Sequence, residues 1–261
     1  MQLYFEESGA VQAPSILFIH AVGVNGWMWN SQITALKEDF HCLNVDLPGH
    51  GKSHRVKWLS FEDSADQIAE IIRESAHNYS AHVVGLSLGS YVGLTLLSRH
   101  PDLVTRAVFS GITAAPLPNS WMYALLGPVL AIGMKTKFFI EMNAKSLKVP
   151  PEQFDDYVKA ARMVSRQAFV KSSLDAARFS LPTNLAAIKV PTLIVAGENE
   201  HPLVETSIKT IVHALPNGKG ALVPNVGHGW SGEAPQLFTA MLRAWFTNQP
   251  LPEALSKLPL P

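Results

Sequence analysis

The chain has little charge and almost no sulfur. Of its 261 residues only 16% are Asp, Glu, Lys or Arg, and the 21 acidic and 21 basic side chains cancel. A balanced, sparsely charged surface offers no basic stripe for a phosphate backbone, so nucleic acid is not an expected partner. The single cysteine, Cys42, excludes an internal disulfide, and it sits in an apolar run where a thiol behaves as a small inert core residue. No apolar run reaches the ~18–20 residues needed to cross a bilayer. The first residues include Glu6 and Glu7 and lack the basic-then-apolar order of a secretory signal, so a cytoplasmic location is expected. On that expectation Asn78-Tyr79-Ser80 is a coincidental match to a glycosylation acceptor. There is neither an HExxH motif nor a Cys/His cluster, and no metal or other cofactor is expected. No internal repeat is visible.

What the chain does have is 47% apolar residues, enough for a sizeable core, in alternating strand-like and helix-like runs. The short apolar run at 16–19 reads as a strand buried on both faces of a parallel sheet, and 41–45, 104–109, 191–196 and 221–223 read as further strands. Ser60 is placed to cap a helix, with Asp63 three residues on and Phe61, Ala65, Ile68 and Ile72 along one face. Residues 235–246 repeat that logic with Phe238, Met241, Leu242 and Trp245 at i, i+3, i+4 and i+7. Between 112 and 182 the alternation stops and helical patterns such as Phe154-Tyr157-Val158-Ala161 take over. The expected fold class is α/β, a mostly parallel sheet flanked by helices with a helical lid insertion. The core covers 1–111 and 183–249, the lid 112–182, and a proline-rich tail, 250–261, is expected to fray.

One stretch carries chemistry. Val83-Val84-Gly85-Leu86-Ser87-Leu88-Gly89-Ser90 runs from an apolar strand through Gly-x-Ser-x-Gly into an apolar helix. A sharp strand-to-helix turn of this kind strains the serine backbone and lifts its hydroxyl above the sheet, while the helix N-terminus aims the Leu88 N–H at what the serine attacks. A serine hydroxyl needs a base, normally a histidine oriented by a carboxylate. His228, between Gly227 and Gly229 just after the last strand, stands where that base belongs.

After the strand at 191–196 comes Gly197-Glu198-Asn199-Glu200-His201, and with it the chain resembles the α/β-hydrolase superfamily, in its lid-bearing serine esterase branch. The family loop usually reads Gly-x-x-Asp, and the resemblance puts Glu200 in the acid's slot with Glu198 as the alternative. His20-Ala21-Val22-Gly23 is similar to the family's His-Gly-x-Gly loop, which implies an oxyanion hole built from the backbone N–H groups of Val22 and Leu88. Ala21 replaces the usual glycine and is acceptable there only with a negative φ. The loop is followed by aromatics expected to be exposed. Asp46-Leu47-Pro48-Gly49-His50-Gly51-Lys52-Ser53 is similar to a family turn and reads as structural. The resemblance implies a carboxylic ester hydrolase with a Ser87–His228–Glu200 triad, a small-molecule ester as partner and no cofactor. Lactone, thioester or carbon–carbon hydrolysis, acyl transfer and cofactor-free perhydrolysis use the same groups, and a ligand receptor with little turnover keeps the same fold. Trp27, and Leu125 and Leu130 in the uncharged stretch 121–134, are the candidate substrate-lining residues.

Overall fold

In the computed structural model of the protein the described residues are 2–121, 126–127, 131–147 and 149–257. They form one eight-stranded sheet in the order β1-β3-β2-β4-β5-β6-β7-β8. The strands are β1 (Phe5–Ser8), β2 (Ser15–Ile19), β3 (His41–Val45), β4 (Ala81–Leu86), β5 (Val104–Ser110), β6 (Thr192–Gly197), β7 (Gly218–Val223) and β8 (Ser256–Lys257). β2 to β7 pair in parallel, and the outermost strands β1 and β8 are antiparallel to their neighbours.

Every residue of β2, β3, β4 and β6 is buried, which is why these strands read as continuous apolar runs rather than alternating ones. The alternation is still present, sorted between two cores. Leu17, Ile19, Val83, Phe109 and Ile194 face one cluster, and Ile16, Phe18, Val84, Val108 and Leu193 face the other. The first cluster is closed by helices α2 (Phe61–Ser75) and α3 (Leu88–Arg99), and the second by α1 (Asn30–Leu36) and the last helix, Pro235–Phe246. Each fully buried Leu, Ile or Phe removed from water contributes on the order of 1.5–3 kcal/mol before entropy is charged against it. Ser60 caps α2 by accepting the Asp63 N–H at 3.2 Å, while the Asp63 carboxylate takes Gln67 at 2.8 Å.

Two expectations are corrected. The described part of the tail is fixed to the core: Ser256 and Lys257 pair with Leu222 and Ala221, and Leu255 is 5% exposed in the second core. Its prolines hid a strand too short to show periodicity. Of the aromatics after the His20 loop, Trp29 is fully buried between Phe18 and Phe238, and only Trp27 reaches the surface in part. β1 was not foreseen, because its burial alternates too weakly to mark four residues as a strand.

Between β5 and β6 the described residues include three helices, α4 (Lys137–Ser146), α5 (Phe154–Met163) and α6 (Arg166–Ala177). α6 is fastened to the core at both ends. The Ser165 N–H donates to Gly49 O at 2.7 Å, the Gln167 amide to Trp58 O at 2.8 Å, and the Trp58 indole N–H to Asp175 at 2.8 Å. The turn at 46–53 thus holds the N-terminal end of α6 through Gly49 O. Helices α7 (Pro202–Ala214), α8 (Trp230–Glu233) and α9 (Pro235–Phe246) complete the described chain.

Candidate active site

Ser87 stands between β4 and α3 with φ +54° and ψ −117°, a backbone conformation that a non-glycine residue holds only under constraint. The constraints are visible on both sides. Its N–H donates to Ser110 O at the end of β5 (2.8 Å), and its carbonyl accepts the Ser90 N–H (2.8 Å) as α3 begins. Gly89 lets α3 start there, because any Cβ at that position would run into the Ile19 carbonyl of β2. The Ser87 side chain is half-buried and faces open space above the C-terminal ends of the strands.

Two loops from neighbouring strand ends meet beside it. Glu200 follows β6 and its side chain is 3% exposed; its Oε2 accepts from Nδ1 of His228 at 2.7 Å, and its Oε1 accepts the Gly197 N–H at 3.1 Å. A carboxylate on Nδ1 places the ring proton there and leaves Nε2 of the neutral imidazole as the free acceptor. Glu198 points elsewhere, accepting the Asn225 N–H at 3.2 Å. The Glu200 N–H in turn donates to Gly197 O at 3.1 Å, closing the turn that carries the carboxylate. No Ser87–His228 hydrogen bond is present among the described residues.

The His228 loop is braced by residues that sequence reasoning missed. The Gly227 N–H donates to Glu233 at 3.1 Å, the fully buried Trp230 donates to Ser110 Oγ at 2.9 Å, and Gln32 donates to Ser231 O at 2.9 Å. Trp230 lies only two positions beyond His228, and a large aromatic so near a glycine-flanked histidine was the available signal. Gly111, with φ +67°, lies against the imidazole from the end of β5.

Opposite, the loop at 20–23 is held by His20. Its Nδ1 donates to Ala21 O at 2.7 Å and its Nε2 accepts the Leu47 N–H at 2.9 Å, so the buried ring is neutral with its tautomer set. Burial pushes its pKa down to about 4. Ala21 keeps a negative φ because Gly23, at φ +81°, takes the left-handed position. Neither the Val22 nor the Leu88 N–H is taken by another group among the described residues.

Two cavities open from this point. One, about 320 Å³, is mostly apolar and runs past Trp27, Met28, Phe139, Leu147 and Phe169 toward Tyr157. Trp27 lies 6.2 Å from the Tyr157 ring, whose hydroxyl accepts from Asn143 at 2.7 Å. The other, about 900 Å³, is wider and carries polar groups of Thr113, Asn199, His201 and Glu200. Trp27 lies on a wall of the apolar cavity, whereas Leu125 and Leu130 lie outside the described residues. Tyr157, Asn143 and Phe139 were not foreseen as wall residues, since helical periodicity marks a buried face without saying what it faces.

A parallel sheet wound in this order, with a serine at the strained turn after its central strand and a histidine–carboxylate pair on later strand ends, is the architecture of a hydrolase of the α/β class. The chain belongs to the alpha/beta hydrolase family, whose model matches residues 16–241. It is 26% identical to an AB hydrolase superfamily protein of Gibberella zeae, over 94% of this chain and 84% of that one. It is 25% identical to the pimeloyl-[acyl-carrier protein] methyl ester esterase of Aeromonas hydrophila, over 88% of this chain and 94% of the relative. In fold it is similar to the enol-lactonase of Burkholderia xenovorans LB400, with a TM-score of 0.81 at 20% identity, covering 94% of this chain and 96% of that chain. Its relatives include proteins named as a monoacylglycerol lipase and a methyl ester esterase.

Proposed function

We propose that the protein hydrolyses carboxylic esters through an acyl-enzyme, with Ser87 as nucleophile, His228 as base and Glu200 as the carboxylate that orients it. The observation that carries this reading is the Glu200–His228 pair, 2.7 Å apart, on the same cavity walls as a serine at φ +54°. Ser87 Oγ attacks the ester carbonyl while His228 Nε2 takes its proton, and Glu200 stabilises the imidazolium that forms. The carbonyl oxygen, now negative, is received by the Val22 and Leu88 N–H groups. His228 then protonates the departing alcohol, and water, activated by the same imidazole, releases the acid. The 320 Å³ cavity receives the acyl chain, which favours small to medium apolar acyl groups, and the wider cavity receives the alcohol. Helices α4, α5 and α6 line the apolar cavity, and α6 lines the wide one as well.

The test is a fluorophosphonate probe together with turnover of p-nitrophenyl esters. Labelling should fall on Ser87 alone, and Ser87→Ala should abolish it and lower turnover by ~10⁴ or more. Ester turnover that survives Ser87→Ala overturns the assignment. A single covalent event per chain without repeated turnover supports the receptor reading instead.

A further inference from the structure

Four residues line both cavities: Val22, Ser87, His228 and Ser173. The first three already have parts in the proposed reaction. Ser173 comes from α6, in the insertion, and is half-buried. Along that helix Phe169 borders the apolar cavity, while Ala176 and Ala177 border the wide one. The stripe at i, i+4, i+7 and i+8 therefore runs across the roof from one arm to the other, with one hydroxyl at the crossing. Among the described residues the Ser173 hydroxyl has no hydrogen-bond partner. Its helix is held at both ends by Gly49, Trp58 and the bond from the Leu117 N–H to Ala177 O (2.8 Å), so the hydroxyl is carried on a fixed element.

We propose that Ser173 is a further substrate-contacting residue, whose hydroxyl donates a hydrogen bond to the alkoxy oxygen of the ester. This rests on the acyl-enzyme reading above. An ester with its acyl group in one arm and its alcohol in the other sets its C(=O)–O unit at the junction, where Ser173 stands. The carbonyl oxygen is claimed by the Val22 and Leu88 N–H groups, which leaves the alkoxy oxygen for donors on the remaining sides. In acylation the bond from the carbonyl carbon to that oxygen breaks, and its electron pair stays on oxygen. His228 supplies the proton, and Ser173 keeps its own while stabilising the growing negative charge. The contact selects oxygen esters over thioesters, because sulfur is a weak acceptor.

The test compares ethyl butyrate with S-ethyl thiobutyrate, which yield the same butyryl-enzyme. In Ser173→Ala, kcat/KM for ethyl butyrate should fall by about tenfold, the loss of one hydrogen bond to a charged transition state. The thioester value should stay within about twofold, and deacylation, read from the steady state after a p-nitrophenyl butyrate burst, should not change. Ser173→Thr, which keeps the hydroxyl, should recover most of the oxygen-ester rate. Equal losses on both substrates would make Ser173 a packing residue, and no loss on either would remove it from the site; both results overturn the inference and leave the ester reading standing. If the unaltered protein turns over neither substrate, the ester reading falls and Ser173's role with it.

Discussion

A Cβ on residue 111 would stand 2.6 Å from Cε1 and 2.9 Å from Nδ1 of His228. The bare backbone of Gly111 is thus the surface on which the imidazole rests, at a φ of +67° that side chains resist. Gly111→Ala should tilt the ring away from Ser87 and lower kcat by on the order of 10²-fold, while backbone strain costs about 1–3 kcal/mol of stability. Steady-state kinetics beside a thermal melt check both; an unchanged kcat would mean that the ring has another resting place.

The two glutamates of the 198–200 loop are predicted to differ sharply. Glu200→Gln keeps the shape but removes the charge facing His228 Nδ1, and kcat should fall by ~10²–10⁴. Glu198→Gln loses only an exposed bond to the Asn225 N–H and should be nearly silent. The reverse ranking, measured on one ester at saturating concentration, would displace Glu200 from its role.

Acyl-chain preference should follow the walls of the apolar cavity. Each methylene buried there contributes up to ~0.8 kcal/mol, roughly fourfold in kcat/KM, until the 320 Å³ is filled. A p-nitrophenyl series should therefore rise from acetate to medium chains and then drop. Leu147→Asp, on a half-buried wall, should flatten the rise more than it harms acetate hydrolysis. A series that is best at acetate would return this cavity to mere packing.

Acid stability is set by histidines held neutral. Burial is the leading cause in each case, pushing His20 and His82 down to about 4 and His50 to about 3. Above pH ~6.5 both folded and unfolded chains carry these rings neutral. As pH falls through that value the unfolded chain binds protons that the folded one refuses, so stability drops and levels only as the folded rings titrate, at about pH 4 for His20 and His82 and about pH 3 for His50. His82 stacks on Phe246, with centroids 4.4 Å apart and planes at 6°, which makes His82→Phe a conservative probe. The variant should lose stability between pH 6.5 and 4 with a slope shallower by about one proton; an unchanged slope in denaturant titrations would exclude His82.

How much of this was legible follows from the range of each interaction. β2 to β7 and the helices at 61–75 and 235–246 announce themselves through local burial, and Ser87 and His228 through turn residues beside them. Glu200 was legible only through family resemblance, since nothing in Gly-Glu-Asn-Glu separates two solvated charges until Gly197 donates to one of them. Gly111 was not legible, Trp230 only as an aromatic two positions beyond His228, and Tyr157 and Ser173 not as wall residues. Each is defined by a partner in another element, namely the imidazole, Ser110, Asn143 and the junction of two cavities. Periodicity says that a side chain is turned inward, but not whether it meets packing or a cleft.

The two ends of the sheet are guarded by different means. At one, β1 presents Glu6 and Glu7, with Lys52 and His41 as their partners, a charged edge that discourages another strand from adding. At the other, β7 carries glycines at 218 and 220 and has no charge but Lys219, so its ladder is an open template. The two-residue strand β8, after Pro250 and Pro252, pairs with Ala221 and Leu222 and so covers the later part of that ladder. A chain shortened to end at Gln249 would expose both the ladder and the pocket that holds Leu255. Its failure would take the form of edge-to-edge association in solution rather than a loss of chemistry at Ser87.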